Sequence, residues 1–390
     1  MQDYLGNDMT PCNSESLLVM NQYILKDLNY ENQDYDQLKD ALHKDSQSPM
    51  LNILFAHMNI LMEAENSRET VNNLLSTLTN FNPREELWKE ALRALVNHGM
   101  CAAIPIIHRI VQQYPKDYLA VRYGISLGLL SGEKSSMLLI VESLKQDNSY
   151  LESPECCSFI SFAYVENGDL SQAEIFAKRA LQLNPHNAWA QHNLCHAYAG
   201  NNQFELGKRV LENRSDDWKG DFIYTHNFWH LAAFHIFLKE YSEAEQLFAT
   251  HIIGKNWWVP INMINILAML LYLDHSRRNL QQFFTEKFRE TIQDKRMQGN
   301  TPILDAMIVW ALAKVGEQDK AAKLKDSLNG VAKSAAEALL HYASNNLVEA
   351  QRIVNENYNE MHFLGGSIEQ IQVITDCLSI TRGSIFNFLE

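Results

Sequence analysis

At 390 residues, with 46% hydrophobic and 10% aromatic side chains, the chain has enough apolar surface for a continuous core, which excludes wholesale disorder. A formal net charge of −14, with no stripe of Lys and Arg, excludes a phosphate-binding face, so nucleic acid is set aside as a partner. The longest near-continuous apolar run, Ile261 to Leu273, is interrupted by Asn262 and Asn265 and falls short of the roughly 20 residues a membrane helix needs. Met1 to Thr10 has no basic start followed by an apolar core. The expectation is a soluble, cytoplasmic protein without a membrane span. The six cysteines, Cys12, Cys101, Cys156, Cys157, Cys195 and Cys377, lack Cys-x-x-Cys spacing and read as free thiols in mostly apolar helical context.

In chain order, the first predicted element is helical, from Ser14 to Ala64. It has caps at Ser14 and near Ser48-Pro49, and Leu51, Leu54, Phe55, Met58, Leu61 and Met62 on one face. Repetition follows. Between Ser158 and Pro185, the residues Tyr164, Gly168, Asp169, Ala173, Ala177, Ala180 and Pro185 fall at the spacing of one helix-turn-helix repeat of about 34 residues. Gly168-Asp169 breaks the first helix, Ala173 and Ala180 let two antiparallel helices approach closely, and Asn184-Pro185 stops the second. Gly99, Ala103 and Pro115 upstream, and Tyr241, Ala244 and Phe248 downstream, hold the same register about two periods away. Further on, Gly316 with Ala321 and Asn346 with Ala350 repeat the turn-then-alanine pattern, and helical periodicity runs from Ile368 to Ile380. Polar joints at 29–33, 145–149 and 293–300 are the expected inter-pair loops. No alternating run is long enough for a sheet. The expected fold is all-α, an α-solenoid or superhelix of antiparallel helix pairs that resemble tetratricopeptide repeats. It is expected as one array over 1–390, with an N-terminal helical region 1–82, the best-matching repeats 83–255 and degenerate C-terminal repeats 256–390.

The concentrated chemical feature is a set of histidines on two helices of this array, Trp189-x-x-His192-x-x-x-His196 and His226-Asn227-Phe228-Trp229-His230. Spacing of four residues puts each pair on one helix face. On the repeat register these positions line the concave groove, so four imidazoles from neighbouring first helices are expected to converge. Such a cluster suits a divalent metal or a general acid/base pair, and equally suits hydrogen-bonded groove histidines that hold a peptide. His235 falls at a packing position. Trp189 and Trp229 read either as stacking partners of a ligand or as interhelical packing. Trp257-Trp258, ahead of Pro260, reads as a binding edge or a buried corner. Later, Gly365-Gly366-Ser367-x-x-Gln370 is either an ordinary turn or a place where backbone amides approach an anionic or carbonyl group, with Ser367 as cap.

These residues resemble a known family. The run Ala173 to Ile252 is similar to the central block of the tetratricopeptide repeat protein 38 family through Asn184-Pro185, Ala188-Trp189, His192, His196, His226-Asn227-x-Trp229-His230, Tyr241-x-x-Ala244 and His251-Ile252. Leu364-Gly365-Gly366-Ser367-x-x-Gln370 resembles its C-terminal signature, and His57 in Phe55-Ala56-His57 resembles a histidine of its N-terminal region. The resemblance implies an all-helical fold that brings the two signatures together. The chain departs from the family pattern at Ile125 and Ser126, where a His-Asp pair is usual, at Met307, where the family's Asp-Ala-His appears as Asp305-Ala306-Met307, and at Ile371 and Gln372 in the late signature.

Two functions of different class follow. The first is an interaction or ligand-binding protein presenting a groove to a peptide or small polar molecule, lined by His192, His196, His226, Asn227, Trp229, His230, Asp305, Gly366, Ser367 and Gln370. The alternative is an enzyme using metal-dependent or histidine acid/base chemistry in the same groove, with His192, His196, His226 and His230 as candidate metal ligands. Asp305 is then a candidate carboxylate, and Ser367 a candidate nucleophile if the fold brings it to a histidine. A homodimer through the array ends or Trp257-Trp258 and a secreted effector scaffold are further readings that rest on the fold alone.

Overall fold

A computed structural model describes residues 1–31, 33–61, 67–145, 148–212, 214–219 and 223–378. Several expectations, namely the parts of the loops at Asn32 and at Gln146-Asp147, the packing of Met62 and the helix end at Ile380, lie outside the described residues. Among these residues the fold is all-α, with an isolated bridge between Gln2 and Asp8. No helix among them is long and apolar enough to cross a membrane. The chain groups into two compact units, Met1–Asn193 with Lys219–Phe222, and Leu194–Trp218 with Ile223–Glu390.

The first unit runs through α1 (Ser14–Leu28), α2 (Tyr35–Lys44), α3 (Pro49–Leu61), α4 (Ser67–Ser76), α5 (Pro83–His98), α6 (Met100–Gln113), α7 (Tyr118–Ser131), α8 (Lys134–Leu144), α9 (Pro154–Glu166) and α10 (Leu170–Leu183). It ends within α11 (Ala188–Gly200). The repeat signature explains the pair α9 and α10. Ser153 caps α9 by accepting from the Cys156 amide, with Pro154 at the first helical position. Gly168 takes a φ of +81°, which an L side chain would resist, and Asp169 caps α10 by accepting from the Gln172 amide. Ala173, Ala177 and Ala180 are fully buried where α10 meets α9, and the Ser161 hydroxyl donates to the Ala173 carbonyl at 2.7 Å.

The second unit continues α11 and adds α12 (Phe204–Leu211), α13 (Tyr224–Phe237), α14 (Tyr241–Leu247), α15 (Pro260–His275), α16 (Glu286–Gln293), α17 (Pro302–Lys314), α18 (Gln318–Ser327), α19 (Gly330–Ala343), α20 (Leu347–Glu356) and α21 (Ile368–Leu378). Here the pairs divide their labour. α13 buries every residue from Thr225 to Ile236, α15 from Asn262 to Leu273 and α17 from Ile303 to Ala313. By contrast α14 buries only Ala244 and α18 only Ala321. A helix buried all round needs apolar or hydrogen-bonded side chains on every face, whereas its amphipathic partner needs one small residue at the contact. The last helix, α21, packs against α15, α19 and α20. It therefore lies against the inner helices, and the polar groups they carry are enclosed.

Candidate functional site

The second unit brings together His196 from α11, His226 and His230 from α13, Asn265 from α15, and Glu369 and Gln370 from α21. The three imidazoles are 0%, 8% and 3% exposed, so they form a buried cluster and do not stand on an open face. One ring nitrogen from each lies within 4.8 Å of the others. The ring centroids of His196 and His230 are 4.4 Å apart, and those of His226 and His230 are 4.6 Å apart, both edge-on.

Hydrogen bonds to these rings set their tautomers. The Asn265 Oδ1 accepts from the Gln370 Nε2 at 3.3 Å and meets the His226 Nδ1 at 2.9 Å. A carbonyl oxygen only accepts, so His226 carries its proton on Nδ1 and a lone pair on Nε2. That Nε2 faces the Nε2 of His230 at 3.2 Å. Desolvation is the main reason the His226 pKa falls to about 4, and the nearby His196 lowers it further, so His226 is neutral at pH 7. His196 is paired through Nδ1 with the carboxylate of Glu369, which places its proton on Nδ1 by the same logic. The Glu369 Oε2 and the Asn265 Nδ2 are buried with no hydrogen-bond partner among the described residues. Orphaned polar atoms in residues 8% and 0% exposed carry an unmet desolvation cost.

The C-terminal signature serves the cluster through its turn. Gly365 and Gly366 both adopt positive φ, and a Cβ on Gly366 would lie 2.8 Å from the Gln370 Oε1. The Ser367 amide donates to that Oε1 at 3.0 Å, and the Gln370 amide donates to the Ser367 hydroxyl at 3.3 Å, a reciprocal capping box. Ser367 is thus the cap expected of it. Between its hydroxyl and His226 stand Gln370 and Asn265, a relay of amides in place of the direct serine–histidine contact a nucleophile needs.

Other expected residues have local roles. Asp305, on α17, accepts from the Gly299 amide at 2.9 Å and closes the turn before its helix; burial raises its pKa. Asn227 is fully buried beside His226. Trp229 is packing: its ring stacks on His226 and on Tyr272 of α15. Trp189 stacks on Tyr30 at 3.8 Å in the first unit. His192, one helical turn before His196 on α11, belongs to the first unit by its surroundings. It donates from Nδ1 to Asn193 at 3.1 Å and meets Phe162 and Trp189 at its edges. His235 pairs with Glu240 at 2.6 Å. Trp257 is buried, whereas Trp258 is half exposed under the Arg296 guanidinium. Met307 and Ile371, two of the departures, are buried apolar side chains.

The first unit has its own buried polar cluster. The His57 Nδ1 hydrogen-bonds the Tyr23 hydroxyl at 3.0 Å, and its ring lies 4.3 Å from that of Tyr123. Burial lowers its pKa to about 4 despite Asp27 nearby. Asp27 pairs with Arg122 at 3.3 Å, and Arg122 also lies over the Tyr30 ring.

Two central members of the histidine cluster escape the sequence reading, Glu369 and Asn265. Glu369 hides between Ser367 and Gln370, where an acid in the first helical turn reads as a partner of the helix dipole. Asn265 appears only as an interruption of an apolar run. An amide inside a helix otherwise apolar on all sides is itself the usable signal, because burying it demands partners.

Residues 164–216 match the family model of the tetratricopeptide repeat. The match covers α10 to α12 and supports the tetratricopeptide superfamily for the repeats.

Proposed function

We propose that this protein is a helical-repeat binding protein whose second unit takes a small polar ligand into the chamber of His196, His226, His230, Asn265 and Glu369. Tetratricopeptide-type helix pairs are suited to presenting surfaces to partners, so contact with another protein is the general role in which this chamber operates. The observation that carries the reading is the burial of all three imidazoles together with two orphaned polar atoms. A peptide needs an open groove along several helices. A small molecule with one hydroxyl or ammonium donor for Glu369 and one acceptor for Asn265 needs only the chamber.

The test is a thermal-shift panel of amino acids, hydroxy acids and polyols beside a library of peptides, run on the protein and on a Glu369→Gln variant. A ligand at about 100 times its Kd stabilises by about 2.7 kcal/mol, readily seen as a shift in Tm. The reading expects a small molecule to stabilise the protein and to lose that effect in the variant. Stabilisation by peptides alone, unchanged in the variant, refutes it.

A second reading, acid/base catalysis in the same chamber, is favoured by the His196–Glu369 pair, because a carboxylate that orients an imidazole raises its basicity. The stabilising ligand distinguishes the two: recovered intact after long incubation it is a ligand, recovered altered it is a substrate.

A further inference from the structure

The structure assigns a divalent-metal site to His196, His226 and His230, with Glu369 and Asn265 as the groups that orient the ligands. The inference rests on the buried site proposed above and names the occupant its geometry fits. Three imidazoles with a carboxylate and an amide behind them are the donor set of a zinc-class ion bound by three protein ligands with a position left open.

Three observations carry it. The Nε2 atoms of His226 and His230 face each other at 3.2 Å; two nitrogens bound at 2.0–2.1 Å to one tetrahedral ion sit about 3.4 Å apart. Both rings with an assigned partner are held through Nδ1, His226 by the Asn265 carbonyl oxygen and His196 by the Glu369 carboxylate. This fixes the tautomer whose Nε2 lone pair binds metal and reproduces the carboxylate–histidine arrangement that supports metal-bound imidazoles. Finally, the Glu369 Oε2 and the Asn265 Nδ2, both buried, have no hydrogen-bond partner among the described residues. A solvent molecule on the open coordination position would give each of them a partner. A simple histidine–histidine hydrogen bond accounts for the first observation but for neither of the others.

The experiment uses the full chain, untagged, stripped with a chelator and titrated with Co²⁺ and then Zn²⁺. It is read by elemental mass spectrometry and by the visible bands of four- or five-coordinate cobalt. One equivalent of Co²⁺ with strong visible bands, displaced by Zn²⁺, is expected. His230→Gln and His226→Gln should abolish the bands. Glu369→Gln, which keeps the shape of the side chain, should weaken metal affinity by about 10–100-fold and serves as the readout if a histidine variant fails to fold by circular dichroism. Absence of bands in the parent protein, or bands unchanged in all three variants, overturns the assignment. If that happens while a small molecule still stabilises the protein through Glu369, the chamber stands without its metal; if both fail, the enclosed-site reading falls with it.

Discussion

The buried polar clusters of the two units look alike in composition and differ in how they are satisfied. Around His57, the first unit places opposite charges in contact, Arg122 against Asp27, and nearby Arg84 lies against both Asp3 and Asp117. Asp117 additionally accepts from the Trp88 indole at 2.8 Å and caps α7 through the Ala120 amide. The second unit sets three imidazoles beside an amide and one carboxylate, with Glu369 paired to His196; both clusters keep buried polar atoms with no hydrogen-bond partner among the described residues, Glu369 Oε2 and Asn265 Nδ2 here, His57 Nε2 and the Tyr123 hydroxyl there. Burial is common to both. What differs is the charge make-up: the first cluster sets guanidinium groups against carboxylates, whereas the second sets a carboxylate against an imidazole.

If this contrast is right, the first cluster should be expensive to break. Asp27→Ala strands the Arg122 guanidinium in the interior and should cost about 3–5 kcal/mol, measured by urea denaturation, with hydrogen exchange accelerated in α1 and α7. A cost below about 1 kcal/mol would erase the distinction. Next comes acid. His57 is neutral in the fold at a pKa of about 4 against 6.5 when exposed, so the unfolded chain takes up a proton first as pH falls. The associated stability is present above pH 6.5 and is lost between there and about pH 4, amounting to about 3 kcal/mol. Urea midpoints measured across that window should fall, and His57→Asn should flatten the trend.

A smaller effect is expected from the amide relay of the second unit. Asn265→Leu removes the acceptor shared by His226 and Gln370 and should destabilise by about 1–3 kcal/mol through the donors left behind. It should also abolish whatever the chamber binds. Stability lost with binding intact would make Asn265 a packing residue only. The opposite pH sign is expected at Asp376, whose pKa burial raises to about 7. Its contribution is full below 3.8 and is lost as pH rises through about 7. Asp376→Asn should therefore gain relative stability above pH 7, seen as slower hydrogen exchange in α21.

How much was legible in the sequence follows from the range of each interaction. The turn at Gly168-Asp169, the contact alanines Ala173, Ala177 and Ala180, and the capping box of Ser367 and Gln370 are decided within a few residues of chain, by left-handed backbone, close helix approach and side-chain-to-amide bonds. The i, i+4 pairing of His226 with His230 is equally local. Glu369 and Asn265 were missed because each matters through a partner far along the chain, His196 for one and His226 for the other. The carboxylate expected at Asp305 is instead spent on the Gly299 turn, 2.9 Å away.

By itself the sequence determined an all-α array of helix pairs, the positions of its turns and the presence of histidines on helix faces, since period and capping are properties of neighbouring residues. Only the tertiary structure decided that α21 packs against α15 and carries Glu369 to His196, that the imidazoles are enclosed, and which nitrogen of each ring holds the proton. Those outcomes depend on which helices meet, and no local pattern in one chain encodes the far side of a contact.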